Sequence, residues 1–301
     1  MTRARILRPA TAVYRGEMTV PERWETWTPR EGDVLVCTPP KCGTTWTQTM
    51  VAMLLAGRPA LDARIGEISP WVDSRLGAPE AVRAALAAQP GRRVVKTHAP
   101  ADGFPVWEGV TVIAVYRHPL DVFASLLSHV RNRADRDGHP MMRPVDEALR
   151  DYIDAPLAMD RFDDDTLATV VRHYTETALS DRLPDRLLLH YADLARDHRG
   201  ALARIAAAIG AEADAGLLDA IAAATRIDAM RADAHLYAPA GGEGFWRDDA
   251  GFFAKGGTDR WREVVPEAAL PAYRARLAEL VPDPAARDWL EHGDGGDAPR
   301  A

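Results

Sequence analysis

The 301-residue chain is 47% hydrophobic and 27% charged, with a formal net charge of −7. That size and composition suit one large α/β domain, and the negative balance argues against general nucleic-acid binding, so any anion site must be local. Its two cysteines, Cys37 and Cys42, do not stand at framework spacings, the N-terminus lacks an apolar signal core, and no run approaches ~18 apolar residues, so a soluble cytoplasmic protein with no transmembrane segment and no disulfide scaffold is expected.

Residues 1–32 are polar and mixed, with Tyr14, Trp24 and Trp27 as aromatic anchors. They read as an arm laid over a domain running from 33 to 292, its aromatics either packing the arm or covering a pocket. From Asp33 to Thr38 the run Val34, Leu35, Val36 predicts a strand buried on both faces, which Pro39 and Pro40 end. From Thr44 the positions Trp46, Met50, Met53 and Leu54 recur at helical spacing and predict one face laid against a sheet. Residues 57–78 lack sustained periodicity and read as a long connection, in which Trp71 is either an acceptor contact or surface packing.

A helix over Pro79 to Ala88 leads to the strand Arg93 to Lys96, which runs into Thr97 and His98. Val110 to Val130 predicts a strand-to-helix unit, with Arg117 at the strand end, Pro119 at the first helical position and one stripe of Leu120, Phe123, Ala124 and Leu127. The charged stretch from Asn132 to Asp154 reads as a mobile helical insertion, and neither His129 nor His139 shows a ligand spacing. A helix over 166–182, a strand from Leu187 to Tyr191, two Ala-rich helices over 199–224, a Gly- and aromatic-rich segment over 240–261 and two helices over 266–281 and 284–291 complete the chain, with a disordered tail expected over 293–301.

The chemistry concentrates between the first buried strand and its helix, at Lys41, Cys42, Gly43, Thr44 and Thr45. Gly43 lets the backbone turn and approach a ligand, the first-turn N–H groups of the helix lack intrahelical partners, and Lys41 adds a full charge. A phosphate or sulfate is the natural guest. Lys41 precedes Gly43, so the loop is not a Walker A sequence. No Cys/His cluster or His-Glu-x-x-His pattern occurs, and no metal is expected.

Pro40 to Trp46 resembles the 5′-phosphosulfate loop of the cytosolic-type sulfotransferases, which use 3′-phosphoadenosine-5′-phosphosulfate (PAPS) as donor. The resemblance implies a single α/β domain with a central parallel sheet flanked by helices, related to nucleotide kinases. It implies donor contacts from Lys41, Cys42 (where the family usually has Ser), Gly43, Thr44, Thr45 and Trp46. Lys96-Thr97-His98 is similar to the family's catalytic segment, implying His98 as general base with Lys41 and Lys96 as catalytic cations. Arg117 and Ser125 resemble the pair that holds the 3′-phosphate; an ion pair of Arg117 with Asp121 is the alternative. Tyr191 resembles a nucleotide contact or is core packing, and Thr225 and Met230 stand on the adenine side, with Ile227 where an aromatic is usual. Phe253 to Gly257 resembles the closing loop, leaving Lys255, Gly256 and Gly257 as contacts, with Ala254 in the place of an Arg. The implied acceptor is a hydroxylated small molecule or a glycolipid. A metal-dependent P-loop kinase, which would need a Walker A order, and a non-catalytic nucleotide-binding protein are the rival readings.

Overall fold

The unbroken apolar runs become four parallel strands in a computed structural model that describes residues 2–253 and 256–295. In chain order the elements begin with β1 (Ile6–Arg8), β2 (Val34–Cys37), α1 (Thr44–Ala56), α2 (Ile65–Ile68), α3 (Pro79–Ala88), β3 (Val94–Thr97), β4 (Val106–Trp107), β5 (Thr111–Tyr116) and α4 (Pro119–Asn132). They continue with α5 (Val145–Asp154), α6 (Leu167–Tyr174), β6 (Arg186–His190), α7 (Tyr191–Arg196), α8 (His198–Ile209), α9 (Ala215–Ala224), α10 (Ile227–Ala232), α11 (Ala234–Tyr237), α12 (Leu270–Leu280) and α13 (Pro284–His292).

The central sheet has the order β3-β2-β5-β6 and all three pairings are parallel. Because side chains alternate across a strand, Val34, Val36, Ile113 and Val115 pack towards α1 and α8, whereas Ala114 and Tyr116 join the core built by α4, α5, α6, α12 and α13. Leu35, Cys37 and Val95 face a third cluster with Trp27, Phe104 and Trp107. The register sets Lys96 level with Val36 and Thr97 level with Cys37, so β3 ends beside the loop that follows β2. Ligands of such sheets gather beyond the carboxyl ends of the strands.

The arm is held by pairing of β1 with β4 and by aromatic packing, with Trp24 5.1 Å from Phe104 and Trp27 5.1 Å from Trp107 between ring centroids. Tyr14 donates a 2.7 Å hydrogen bond to Asp102, whose other oxygen is bonded by Arg172. These three aromatics therefore pack the arm.

Several elements differ from their sequence expectation. α1 does not present a single buried stripe: Thr45, Thr47, Gln48 and Thr49 are also buried. Its polar residues are accommodated because Thr49 donates to the Thr45 carbonyl and Gln48 to Ser69. The connection 57–78 folds onto the sheet edge, where Trp71 pairs in parallel with Lys96. The stretch 132–154 does not form a mobile insertion in its second half, since α5 buries Ala148, Leu149, Tyr152 and Ile153 in the core. The helix expected over 166–182 is not regular to its end: α6 widens into a π-helical turn over Thr175–Leu179, where the buried Thr177 hydroxyl accepts from the Ala101 N–H. Gly293–Gly295, assigned by sequence to the tail, close α13 in a 3₁₀ turn in which Asp294 accepts from Trp289 Nε1. No described helix is long and apolar enough to cross a membrane.

Candidate active site

After β2 the chain turns with positive φ at Lys41 (65°) and Gly43 (95°) before α1 begins at Thr44. Gly43 is required twice over: its φ is costly for any side chain, and a Cβ there would stand 3.2 Å from the Tyr191 ring. As the N-cap of α1 it offers no side-chain acceptor, so the first-turn amides keep their capacity for a ligand. Thr38 and Thr44 share a hydroxyl hydrogen bond of 2.6 Å that ties the strand end to the helix start. A cavity of about 450 Å³ opens here, with Lys41, Gly43, Thr44, Thr45 and Trp46 on its wall. The Cys42 side chain is fully buried in the core with Ala114 and Tyr116, away from the cavity, and burial pushes its thiol up to about 12. The turn that aims Lys41 outward aims Cys42 inward, so only its backbone can serve a donor.

The same cavity collects Arg117, Ser125, Tyr191, Thr225, Met230, Gly256 and Gly257 from four separate stretches of the chain. Arg117 donates to the carbonyls of Lys41 (3.3 Å) and Gly257 (3.0 Å), and its guanidinium lies 4.4 Å from the Tyr191 ring centroid. Its Nε is buried with no hydrogen-bond partner among the described residues. The alternative pairing with Asp121 is only a 3.9 Å contact, because both Asp121 oxygens already accept backbone N–H groups, from Asp259 and Trp261. Trp46 donates from Nε1 to the Thr225 carbonyl and meets Tyr191 edge-on at 5.7 Å. The Thr225 hydroxyl is engaged with Ile221 and His198, so its contribution is through the backbone and methyl group. At Gly256, φ is 65° and a Cβ would stand 2.6 Å from Ile227, which fixes how closely the closing loop approaches α10. Ala254 and Lys255 lie outside the described residues.

Lys96 and His98 do not line this cavity but stand at the adjoining end of β3. His98 Nδ1 is 2.7 Å from the Thr38 carbonyl, which can only accept. The proton is thereby fixed on Nδ1 and the lone pair on Nε2, which lies 3.5 Å from Lys96 Nζ. Burial first, and the Lys96 charge second, hold the imidazole well below its usual value, so it is neutral at pH 7. The Trp71 ring meets His98 edge-on at 4.7 Å and lies 4.9 Å from Lys96 Nζ, placing Trp71 beside the segment from Lys96 to His98. Burial lowers Lys96 to about 8 and, with help from Arg117, lowers Lys41 to about 7.

Sequence reasoning passed over several groups gathered here. Lys41 Nζ lies 2.8 Å from His129 Nδ1, Ser128 and Arg260 line the cavity, and Asp165 is electrostatically coupled to Lys41. Buried near Asp163 and held at a positive φ of 47°, the Asp165 carboxyl is raised to about 7. For His129 and Ser128 a signal existed: they follow Ser125 by four and three residues and so share its helical face. Among the described residues no group of three or more His, Cys, Asp or Glu could hold a metal ion.

Residues 31–281 match the Sulfotransferase domain family. The chain is 31% identical over 312 residues to a glycolipid sulfotransferase of Mycobacterium bovis (strain BCG / Pasteur 1173P2), covering 94% of this chain and 95% of the relative. In fold it is similar to retinol dehydratase in complex with androsterone and the inactive cofactor PAP, with a TM-score of 0.66 at 19% identity, covering 85% of this chain and 82% of that one. A mouse sulfotransferase complexed with PAP gives a TM-score of 0.65 at 17% identity over 88% and 89%. With the loop after β2, the parallel sheet and a family match spanning most of its length, this chain belongs to the sulfotransferase family.

Proposed function

We propose that this sulfotransferase takes its sulfuryl group from PAPS and passes it to a hydroxyl of a glycolipid or small-molecule acceptor, with His98 as general base. The observation that carries the reading is the fixed tautomer of His98, neutral and with its Nε2 lone pair turned from the Thr38 carbonyl, on the strand end next to Lys41.

The residues present fit such a donor. A cavity of about 450 Å³ is within the range of small-ligand sites, its glycines admit a close approach, and the buried Arg117 Nε awaits an acceptor. The loop amides and Lys41 hold the sulfonated end, Arg117 and Ser125 hold the 3′-phosphate, and Trp46 with Tyr191 flanks the nucleoside. The donor, when bound, supplies the sulfuryl group and adenosine 3′,5′-bisphosphate (PAP) as leaving group. His98 Nε2 takes the hydroxyl proton of the acceptor while Lys41 and Lys96 offset charge on the transferring and leaving oxygens. These steps are positioning and charge stabilisation, the logic of phosphoryl transfer.

The acceptor class rests on the name of the mycobacterial relative. Radiolabelled PAPS incubated with a panel of glycolipids, phenols and alcohols tests the reading. Label transfer that His98→Ala abolishes supports it, and PAP binding without transfer to any acceptor would leave a nucleotide-binding protein instead.

A further inference from the structure

We propose that His129 is the positioning residue of the transfer lysine: its ring holds Lys41 by a hydrogen bond and ties it to Trp246 and Phe252 in the segment before the closing loop. This rests on the donor reading above and names a residue that reading does not require. The contact joins α4 to the loop after β2 across 88 positions, with Nζ and Nδ1 2.8 Å apart. A lysine ammonium has only donors, so Nδ1 accepts and the imidazole carries its proton on Nε2. Two aromatics before the closing loop also meet the ring: Trp246 edge-on at 4.8 Å and Phe252 at 6.3 Å, and Phe252 in turn lies 4.8 Å from Lys41 Nζ.

The consequence for transfer is preorganisation. An unrestrained lysine keeps four carbons of rotamer freedom, and a cation serves charge developing during transfer only if it is already in place. His129 supplies the restraint without a charge of its own. Arg133, Lys96 and His139 face the same ring and, with Lys41 and burial, keep it neutral, so the acceptor lone pair is present throughout the working pH range. Arg117, Lys96, Asp165 and the inward-turned Cys42 act electrostatically on Lys41, and none of them is hydrogen-bonded to its Nζ among the described residues.

Three substitutions in the full-length chain separate this role from packing. His129→Phe keeps a ring against Trp246 and Phe252 but cannot accept. It should lower kcat by about tenfold to a hundredfold with affinity for PAP within about twofold, because a misplaced catalytic group costs rate before binding. His129→Ala should behave likewise, and His129→Asn, whose Oδ1 takes the place of Nδ1, should recover most of the rate. Wild-type kcat in His129→Phe would overturn the proposal. A measurement that needs no acceptor is the long-range ¹H–¹⁵N spectrum of the histidines: His129 should show the Nε2–H tautomer, and Lys41→Met should move its titration upward towards the ordinary range. An unchanged His129 signal in Lys41→Met would also overturn it. Failure of the wild-type chain to bind PAP would sink the donor reading instead, and the spectra would still decide the Lys41–His129 contact.

Discussion

The two ends of the central sheet carry charges of the same kinds and treat them in opposite ways. At the amino ends of β2 and β3, Asp33 and Arg93 form a buried ion pair with side chains 0% and 2% exposed. Every lone-pair direction is used: Asp33 accepts from the Arg30 and Arg93 backbone, from Trp27 Nε1 and from the Arg93 guanidinium, whose remaining donors reach the Leu86 and Thr28 carbonyls. At the carboxyl ends, Lys41, Lys96 and Arg117 gather with Asp121 only as near as 3.9 Å to Arg117, Arg117 Nε has no hydrogen-bond partner among the described residues, and both lysines are lowered by burial. Removing one partner of a satisfied buried pair strands the other charge, whereas a cluster of poorly paired cations with lowered pKa values marks a candidate site for an anion.

The comparison breaks first if the active end proves dispensable. His98→Ala should lower turnover about 10²- to 10⁴-fold, the range for a positioned base, while PAP affinity measured by calorimetry stays within about twofold. Wild-type turnover would remove His98 from the chemistry. At the other end, Asp33→Ala leaves Arg93 buried and unpaired and should cost about 3–5 kcal/mol in urea unfolding. A loss below about 1 kcal/mol, the size of a surface pair, would mean that the two ends are not physically different.

How much of this could be read from sequence divides along the same line. The loop from Lys41 to Trp46, the triplet Lys96 to His98 and the unit from Arg117 to Ser125 are each contiguous or one strand-to-helix step long, and local sequence reports local backbone well. Their convergence follows from parallel order, because β2, β3 and β5 all end on one side. What sequence missed is long-range. His129 meets Lys41 only because α4 returns past the loop, and Arg260 reaches the cavity through a segment whose turns depend on Asp121. The inward direction of the Cys42 side chain lies between positive φ values on either side, which spacing does not reveal. The packing of α5 and the π-helical turn after α6 were hidden because mixed charged and apolar patterns are compatible with more than one tertiary partner.

Arg117→Ala should weaken PAP binding by about 1.5–3 kcal/mol, the order for a hydrogen bond to a charged group. The loss should shrink for adenosine 5′-phosphate, which lacks the 3′-phosphate; an equal loss for both ligands would place Arg117 elsewhere. A smaller effect comes from pH. Lys41 stands at about 7 without a donor, and an anionic donor raises it, so binding above pH 7 draws in a proton. The contribution is fully present below pH 7 and is lost as pH rises through that value towards the bound-state pKa, by at most about tenfold per unit. Lys96 at about 8, and Asp165 and Asp73 (the buried carboxylate that accepts from the Thr97 hydroxyl) each gaining charge at about 7, act in the same direction. PAP affinity should therefore fall between pH 7 and 9, more steeply in the wild type than in Lys41→Met. A flat profile would show that the lysine keeps its proton without help.

The smallest effect sharpens the comparison most, because it asks whether the cationic end compensates for a missing member. The resemblance implies an arginine where Ala254 stands, and Arg260 lines the same cavity with its Nε buried and unpartnered among the described residues, although its other end approaches Glu263 at 3.6 Å. If Arg260 supplies the absent charge, Arg260→Ala should weaken PAP binding by about 1 kcal/mol, discounted from the buried value because the side chain remains 23% exposed. Ala254→Arg in the wild type should then change little, and in the Arg260→Ala background it should restore most of the loss, an interaction energy that only a shared phosphate produces. Tightening by Ala254→Arg that is equal in both backgrounds would mean that the two positions serve different anions, and that the donor is held one charge short.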